Sequence, residues 1–281
     1  MGSNDIPPSH IPLWIVPTST ALLGVGVVCW CVAYKLMTLE TLRTHVYSMP
    51  VVALVVNVAW EAVYCFLAVS DASWLEATGI FVWLLYDINL VQATVLYSGE
   101  TQDRFSLSPR LLHRLLRTFV AKTILVAVVC HWVIASWWLS KAGRGCGDKS
   151  GKIWQGLDGY DTTELAFWTA SVCQLVTSVS SLSMLWRRQD ARGASMPALI
   201  WRTAGSVAGL GLANGILWWY WPEAHCYFSQ LPAILLNGTA LVCDITYGYV
   251  LSRYRSVEGR QWPDKRKQGD AFVPTATERT C

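Results

Sequence analysis

The chain has 281 residues, of which 53% are hydrophobic and only 15% are charged, and its mean hydropathy is +0.34. Soluble domains carry about 25% charged residues, so this composition indicates a polytopic membrane protein and excludes an ordinary soluble domain. The net charge of +3 reflects an uneven distribution of Lys and Arg among loops rather than a patch that binds nucleic acid.

Seven apolar stretches are long enough to cross a bilayer, which requires about 20 helical residues. Because the connections between them are short, residues 1–252 are expected to form one domain, and the polar tail 253–281 is expected to be disordered. The predicted fold class is all-α, a bundle of seven transmembrane helices at residues 13–36, 49–70, 76–98, 119–140, 163–186, 200–221 and 230–252.

The positive charges predict the orientation of the bundle. Lys and Arg lie in loops 1–2, 3–4 and 5–6 and in the tail, whereas the N-terminus and loops 2–3 and 6–7 contain none. The positive-inside rule therefore predicts a lumenal N-terminus and a cytosolic C-terminus, and we expect the endoplasmic reticulum membrane. Loop 4–5 departs from the pattern with four cations, Lys141, Arg144, Lys149 and Lys152.

Two cysteines lie in loops on the expected lumenal side, Cys146 in loop 4–5 and Cys226 in loop 6–7. Disulfides form and persist in that oxidising compartment. The sequence leaves two alternatives open, a bridge between these residues or two free thiols. No cysteine pair has CxxC spacing, and we expect no bound metal.

Glu61 and Asp244 lie in the middle of two apolar runs, residues 49–69 and 230–251. A carboxylate near the bilayer midplane costs at least about 2.5–3.5 kcal/mol on insertion scales, and such residues usually face a cavity or the bundle interior. Neither run contains a Lys or Arg that could pair with the acid, and burial then favours the neutral carboxylic acid. A neutral acid in a dry cavity can protonate a weak base.

A third carboxyl, Asp87 in the third span, falls at a similar depth. The helical rise places all three carboxyls within one slab of about 8 Å. We therefore expect a common cavity in which Glu61 and Asp244 approach each other. Four amides on the same spans either support this site or form interhelical hydrogen bonds: Asn57, Asn89, Gln174 and Asn214.

Aromatic residues are frequent around the same depth. Their faces stabilise cations, although Trp and Tyr also favour membrane interfaces. Acids beside aromatic faces suit a reaction that begins with protonation and continues through carbocations, whereas seven spans with midplane acids also describe a proton-coupled transporter or a receptor. The candidate cation-stabilising residues are Trp60, Tyr64, Trp83, Trp218, Tyr220 and Tyr247.

Five strings taken together and in order resemble the small integral-membrane terpene cyclases of fungi, which include paspaline-type indole-diterpene cyclases and meroterpenoid cyclases. The similarity extends from about the first span through the seventh. The strings are Asn57-Val-Ala-Trp60-Glu61-Ala-Val-Tyr64-Cys65, Val172-Cys-Gln174-Leu, Arg192-Gly-Ala-Ser195, Trp219-Tyr-Trp-Pro-Glu223-Ala and Asp244-Ile-Thr-Tyr247-Gly-Tyr.

The resemblance implies an enzyme that protonates a terminal epoxide on a lipophilic prenylated aromatic or polyketide substrate and directs cationic polyene cyclisation without metal or organic cofactor. It matches Glu61 and Asp244 to the family's two essential acids. The role of Asp87 stays open, because relatives often have an amide near that place. The Trp219 and Arg192 strings are closer to the indole-diterpene branch. Expected partners are membrane lipid and an upstream flavin monooxygenase and prenyltransferase.

Overall fold

The computed structural model describes residues 2–68, 74–97 and 109–269, with side chains described outside 109–113 and 258–269. Helices dominate these residues, which confirms the all-α fold class. They are α1 (Ile15–Thr44), α2 (Val51–Val63), α3 (Trp74–Tyr97), α4 (Pro109–Trp138), α5 (Thr162–Arg188), α6 (Met196–Ser206), α7 (Ala213–Tyr220), α8 (Pro222–His225) and α9 (Leu231–Gly269).

Shorter elements connect some of these helices. Two π-helical segments, Tyr64–Ala68 and Val207–Leu212, follow α2 and α6, and a 3₁₀ turn, Cys226–Ser229, follows α8. In loop 4–5, strands β1 (Ile153–Trp154) and β2 (Leu157–Asp158) form an antiparallel hairpin in which Ile153 pairs with Asp158.

Within the described ranges, six helices are long and apolar enough to cross a membrane. The predicted sixth span is not among them, because it is divided into three shorter elements. These are α6, the π-helical segment and α7, which follow one another without a break from 196 to 220. The structure therefore supports a helical membrane protein, and the count of seven spans stays a prediction. The six helices are Ile15–Thr44, Val51–Ala68, Trp74–Tyr97, Arg114–Trp138, Thr162–Arg188 and Leu231–Val257.

Several helices extend beyond their apolar stretches. α1 continues from the predicted end at 36 to Thr44, and α4 begins at Pro109 rather than near 119. α9 reaches Gly269, so residues 253–269 are helical where composition predicts disorder, and 270–281 lie outside the described residues. Hydropathy marks only the apolar part of a helix, whereas Arg, Lys, Glu and Gln are also good helix formers.

Helix α1 packs closely against the 196–220 segment through glycines. A Cβ on Gly26 would lie 3.0 Å from the carbonyl oxygen of Gly205 and 3.2 Å from the Cα of Gly209. Small residues let helices in a membrane approach until their backbones touch. This contact fixes one side of the bundle interior, and α2, α3 and α5 complete it.

Three segments pack together at one end of the bundle and are named the cap: residues 2–14, 139–161 and 221–230. The Ile6 amide donates to the Gly151 carbonyl at 2.8 Å, and the Asp148 amide donates to the Glu223 carbonyl at 2.8 Å. The N-terminal segment and loops 4–5 and 6–7 therefore share one end, as the alternation of spans predicts.

A disulfide joins Cys146 to Cys226 within the cap, with their Cα atoms 5.8 Å apart. Of the two alternatives that the sequence leaves open, the structure contains the bridge. Its loop spans 80 residues of chain and includes all of α5 and α6. The bond therefore fixes the connection that follows α4 to the connection that precedes α9.

Candidate active site

An elongated cavity of about 400 Å³ lies between α1, α2, α3, α5 and the 196–220 segment. Along α1 its lining extends from Thr20 to Tyr34, which corresponds to roughly 21 Å of helix. Its walls are mostly apolar side chains with a few polar groups, as in typical small-molecule sites of about 300–1,000 Å³. The cavity therefore suits a lipophilic molecule of elongated shape.

Glu61 is a buried residue in the wall of this cavity. The residue is 1% exposed, and its Oε1 accepts a hydrogen bond from the Tyr34 hydroxyl at 3.1 Å. Its Oε2 has no hydrogen-bond partner among the described residues. Because Oε1 already accepts a hydrogen bond, Oε2 is the carboxyl oxygen of this cavity-lining residue that is left for a further hydrogen bond.

Asp87 on α3 is completely buried and is a neighbour of Glu61 and Tyr34. It is close enough to interact with both Tyr34 and Glu61, but it is not among the described residues that line the cavity. In the described part of the chain, neither Glu61 nor Asp87 forms an ion pair with Lys or Arg. Two neighbouring buried carboxyls without a cation strongly disfavour simultaneous ionisation.

Asp244 has a different environment from the predicted one. Its Oδ1 forms a buried ion pair with Nη2 of Arg202 on α6, and its Oδ2 accepts a hydrogen bond from Gln174 Nε2 at 3.2 Å. The prediction of an unpaired acid is therefore wrong for Asp244. It considered cations only within the same apolar run, whereas the partner comes from a neighbouring helix.

The structure does not bring Glu61 and Asp244 together in the described lining of the cavity. Glu61 lines it and contacts Tyr34, while Asp244 lies outside the lining with Arg202. A hydrogen-bond chain still connects Asp244 to the cavity wall, because the Ser206 hydroxyl donates to Gln174 Oε1 at 2.8 Å and both residues line the cavity. The expected direct approach of the two acids is therefore not observed.

Three of the four predicted amides lie at the cavity. Gln174 is described above, and Asn57 donates to the Thr177 hydroxyl at 3.3 Å. The Asn214 amide donates to the carbonyls of Gly209 and Leu210 at 3.0 and 3.2 Å, so it satisfies the π-helical segment. Asn89 is exposed on the outer face of α3 and does not contribute to the cavity.

Of the predicted aromatics, Trp60 and Trp83 line the cavity, with ring centroids 5.6 Å apart. Tyr64 lies just behind, where it stacks on Trp60 with a centroid distance of 4.4 Å. Thr169 accepts a hydrogen bond from Trp60 Nε1 at 3.0 Å. The Trp60 ring is therefore held in a fixed orientation at the cavity wall.

The other three predicted aromatics are directed elsewhere. Trp218 packs on Phe228, and Tyr220 packs on Trp14 near the cap. Tyr247 lies beside Arg202, with its ring centroid 5.9 Å from the guanidinium. Their positions in apolar runs predicted the correct spans but not the face of each helix.

Sequence reasoning missed the aromatic residues of α1. Trp30 and Tyr34 both line the cavity, and Trp30 lies 6.1 Å from Trp83 between ring centroids. Their i,i+4 spacing places them on one helix face. That spacing was the available signal, but the first span contains no buried acid to draw attention to it. Phe167 on α5 also lines the cavity.

Two of the three lysines that depart from the positive-inside pattern, Lys149 and Lys152, are buried inside the cap. Lys149 Nζ lies 2.8 Å from Asp161 Oδ2 and 2.6 Å from Glu164 Oε2, and Lys152 Nζ lies 2.6 Å from Asp5 Oδ2. Burial by itself would raise the pKa of Asp161, but the charges of Lys152 and Lys149 lower that pKa to about 2. These lysines neutralise local carboxylates, so they carry little topological information.

His225 extends the cap network toward the cavity. Burial, reinforced by the charge of Lys152, holds the pKa of His225 well below its usual value, so the ring is neutral. Its Nδ1 lies 2.9 Å from the Tyr227 hydroxyl, which donates to Asn214 Oδ1 at 3.0 Å. Because Asn214 also bonds the π-helical segment, the cap is connected to the cavity wall.

Comparisons with known proteins identify the family. The model of Pyr4-like transmembrane terpene cyclases matches residues 3–256. "Terpene cyclase ascF" of Acremonium egyptiacum is 35% identical over 261 residues, which cover 93% of this chain and 90% of the relative. "Terpene cyclase janB" of Penicillium janthinellum is 27% identical over 81% of this chain and 82% of its own. No solved structure matches.

The chain therefore belongs to the Pyr4-like transmembrane terpene cyclases. The resemblance inferred from the five strings is confirmed, and the protein is an integral membrane enzyme of the cyclase type. The similarity covers the cavity-lining helices and both acids, since the matched range runs from 3 to 256. The transporter or receptor alternative is not favoured by these relatives.

Proposed function

We propose that this enzyme begins cyclisation by transferring a proton from Glu61 to the terminal epoxide oxygen of a prenylated aromatic substrate. The observation that carries the proposal is that Glu61 lines an apolar cavity and that its Oε2 has no hydrogen-bond partner among the described residues. An epoxide oxygen is weakly basic, so its protonation requires a neutral acid in a site with little water. Neither a metal nor an organic cofactor is needed for this step.

Tyr34 and Asp87 prepare Glu61 for this transfer. The Tyr34 hydroxyl occupies Oε1, which leaves Oε2 to carry the acidic proton that is transferred. The adjacent carboxyl of Asp87 disfavours loss of that proton before substrate is bound, since a second negative charge in the same buried cluster is unfavourable. Asp87 is thus a positioning residue rather than a group that contacts the epoxide.

The reaction is an isomerisation. As the proton reaches the epoxide oxygen, its tertiary C–O bond breaks and the nearest alkene attacks that carbon, so the oxygen remains as a hydroxyl group. Positive charge then moves along the polyene as rings close beside the faces of Trp30, Trp60 and Trp83, which stabilise cations. The last cation loses a proton to a base, and the product has the mass of the substrate.

Asp244 contributes through the cavity wall. Its ion pair with Arg202 and its bond from Gln174 hold the amide that, with Ser206, lines the cavity. Removal of the carboxylate leaves the buried Arg202 without an acidic partner and removes one of the three side-chain hydrogen bonds that hold Gln174. A loss of activity on mutation would therefore arise from displaced walls and not from a missing proton.

The substrate we propose is an epoxidised prenyl-indole of the indole-diterpene type, supported by the Arg192–Ser195 and Trp219–Ala224 strings. A flavin monooxygenase and a prenyltransferase would supply it. We further propose seven spans in the endoplasmic reticulum membrane, with the 196–220 segment as the sixth, the cap in the lumen and the C-terminus in the cytosol. The charge asymmetry supports this orientation.

The test is an assay of microsomes that contain the enzyme. One set of microsome samples receives a geranylgeranyl-indole terminal epoxide, and a second set receives a farnesyl-phenol terminal epoxide as a second aromatic class. Both sets are assayed with and without EDTA. The proposal expects an EDTA-insensitive cyclised isomer of unchanged mass from the indole. Product from the phenol alone would contradict the indole branch, and absence of product from both would contradict the proposed function.

A further inference from the structure

The cavity meets the outer surface of the bundle between α1 and α3. Three residues both line the cavity and are exposed: Gly24 and Val28 on α1 and Leu75 on α3. Val28 is 60% exposed and Leu75 is 66% exposed. These three residues lie on helices that are long and apolar enough to cross a membrane, so lipid tails are the expected surroundings of the opening.

Two glycines keep α1 and α3 from filling the opening. A Cβ on Gly24 would meet no atom within 4 Å, and a Cβ on Gly79 would first meet Val27 Cγ1 at 3.8 Å. Farther along the same helices, Trp30 and Trp83 approach to 6.1 Å between ring centroids and close the gap. The opening is therefore limited to the part of α1 and α3 near Gly24.

The opening and the acid lie at different positions along the cavity. Ten residues of α1 separate Gly24 from Tyr34, which corresponds to about 15 Å of helix. Tyr34 holds Glu61, so a linear chain that enters at Gly24 reaches the acid with its leading end. The trailing end of a longer molecule remains near the opening.

We propose that the gap bounded by Gly24, Val28, Leu75 and Gly79 is the entrance by which the substrate leaves the bilayer. This inference rests on the proposed function. The prenyl chain enters with its epoxide end first and reaches Glu61, while the aromatic head stays at the entrance. A lipophilic substrate is concentrated in the membrane, so this path transfers it between two apolar environments without exposing the reacting end to water.

Photo-crosslinking tests the binding direction without relying on turnover. The probe is the geranylgeranyl-indole terminal epoxide with a diazirine on the indole ring, irradiated in microsomes and followed by peptide mapping. The inference expects adducts on peptides that contain residues 24–28 or 75–79. Adducts confined to peptides around Glu61, or to the outer face of α9, would overturn it.

A substitution tests whether the gap is used. Gly24→Leu places a side chain in open space at the entrance, so folding is expected to be retained while kcat/KM falls by about tenfold or more. Gly238→Leu is the matched control, because a Cβ there also meets no atom within 4 Å and Gly238 lies on the exposed side of α9. Its activity is expected to equal that of the wild type.

The outcomes separate the two proposals. If the wild type and Gly238→Leu cyclise the epoxide and folded Gly24→Leu does so equally well, the entrance is wrong and the proposed function stands. If the wild type yields no cyclised isomer, the proposed function fails, and the crosslinking map alone decides whether the lipophilic probe enters here. If Gly24→Leu does not fold, the same map decides.

Discussion

The two oxygens of Glu61 differ in their surroundings, and the proposed proton transfer depends on this difference. Tyr34 donates to Oε1, while Oε2 has no partner among the described residues. When one oxygen of a buried carboxylic acid accepts a hydrogen bond and the other is free, the acid carries its proton on the free oxygen. Preorganisation of this kind avoids rearrangement of the site during proton transfer.

Asp244 and Arg202 are expected to behave as a coupled pair in stability measurements. Breaking a buried ion pair by removing one partner typically costs about 3–5 kcal/mol, because the other charge remains buried and unpaired. Asp244→Asn and Arg202→Met should each lower the free energy of unfolding by this amount. The measurement is thermal or denaturant unfolding of the purified enzyme in detergent.

The double variant Asp244→Asn/Arg202→Met is the control for this pair. It leaves no unpaired charge, so it should be much less destabilised than the sum of the single variants. Strictly additive losses would show that the two residues do not interact, and the assignment of Asp244 to the cavity wall through Gln174 would then lose its basis.

At the residue scale, sequence reasoning located the acids but not their partners. Glu61 and Asp244 look equivalent as single acids in apolar runs, and only the fold shows that Arg202 approaches one of them. The positions of the aromatic residues were limited by the same problem, because the sequence did not show which face of each helix lines the cavity. Trp60 and Trp83 face the cavity, whereas Tyr220 on the same kind of span packs near the cap.

At the scale of elements, the disulfide of the cap is expected to contribute substantially to stability. Non-reducing peptide mapping should recover Cys146 joined to Cys226. Replacing both by Ser should lower the free energy of unfolding by about 2–5 kcal/mol, mainly because the unfolded chain gains freedom. Cys130→Ser is the control, since that thiol is free and exposed. Alkylation of Cys146 and Cys226 in the unreduced protein would rule the bridge out.

His225 is expected to make the stability of the cap depend on pH. The pKa of His225 is well below the usual 6.5 in the folded protein because of burial and Lys152. The contribution of neutral His225 to the free energy of unfolding is therefore complete above about pH 6.5. This contribution is lost as the pH falls below that value, by about 1 kcal/mol for the first pH unit. Unfolding should be followed between about pH 7.5 and 5.5.

The control for this pH dependence is His225→Gln, which cannot titrate in this range. Its stability should be lower overall but should change little with pH across the same window. An equal pH dependence in both proteins would assign the effect to another group and contradict the buried neutral state of His225.

At the scale of the whole molecule, the topology follows from contacts at the two ends of the bundle. The cap joins the N-terminal segment to loops 4–5 and 6–7. At the other end, Arg188 donates to the Tyr47 carbonyl at 2.9 Å and Arg255 donates to the Ala194 carbonyl at 2.8 Å. Among the described connections, loops 4–5 and 6–7 therefore lie at one end with the N-terminal segment, and loops 1–2 and 5–6 lie at the other.

Reporter fusions test the orientation of this arrangement. A reporter fused after Lys267 is expected in the cytosol, and a short reporter inserted near Ser150 is expected in the lumen, because loops rich in unpaired Lys and Arg stay in the cytosol. Protease protection of sealed microsomes measures both. If both reporters lie on the same side, the seven-span arrangement is incorrect.

Hydropathy and charge predicted the class and most spans, because burial in lipid demands long apolar helices. These two signals failed where the structure depends on individual hydrogen bonds, packing contacts and ion pairs. The π-helical segment at 207–212 depends on the Asn214 amide and on glycine contacts with α1. Lys149 and Lys152 entered the charge count as exposed cations, although the folded cap buries them against Asp5, Asp161 and Glu164.

The central claim is that Glu61 supplies the proton that starts cyclisation, and turnover by Glu61→Gln tests it most directly. The amide keeps the size of the side chain and can still bond Tyr34, so the protein should fold and insert while kcat falls by about 10²–10⁴. Asp87→Asn should lose less, because Asp87 does not line the cavity. Near-normal turnover by folded Glu61→Gln would contradict the mechanism.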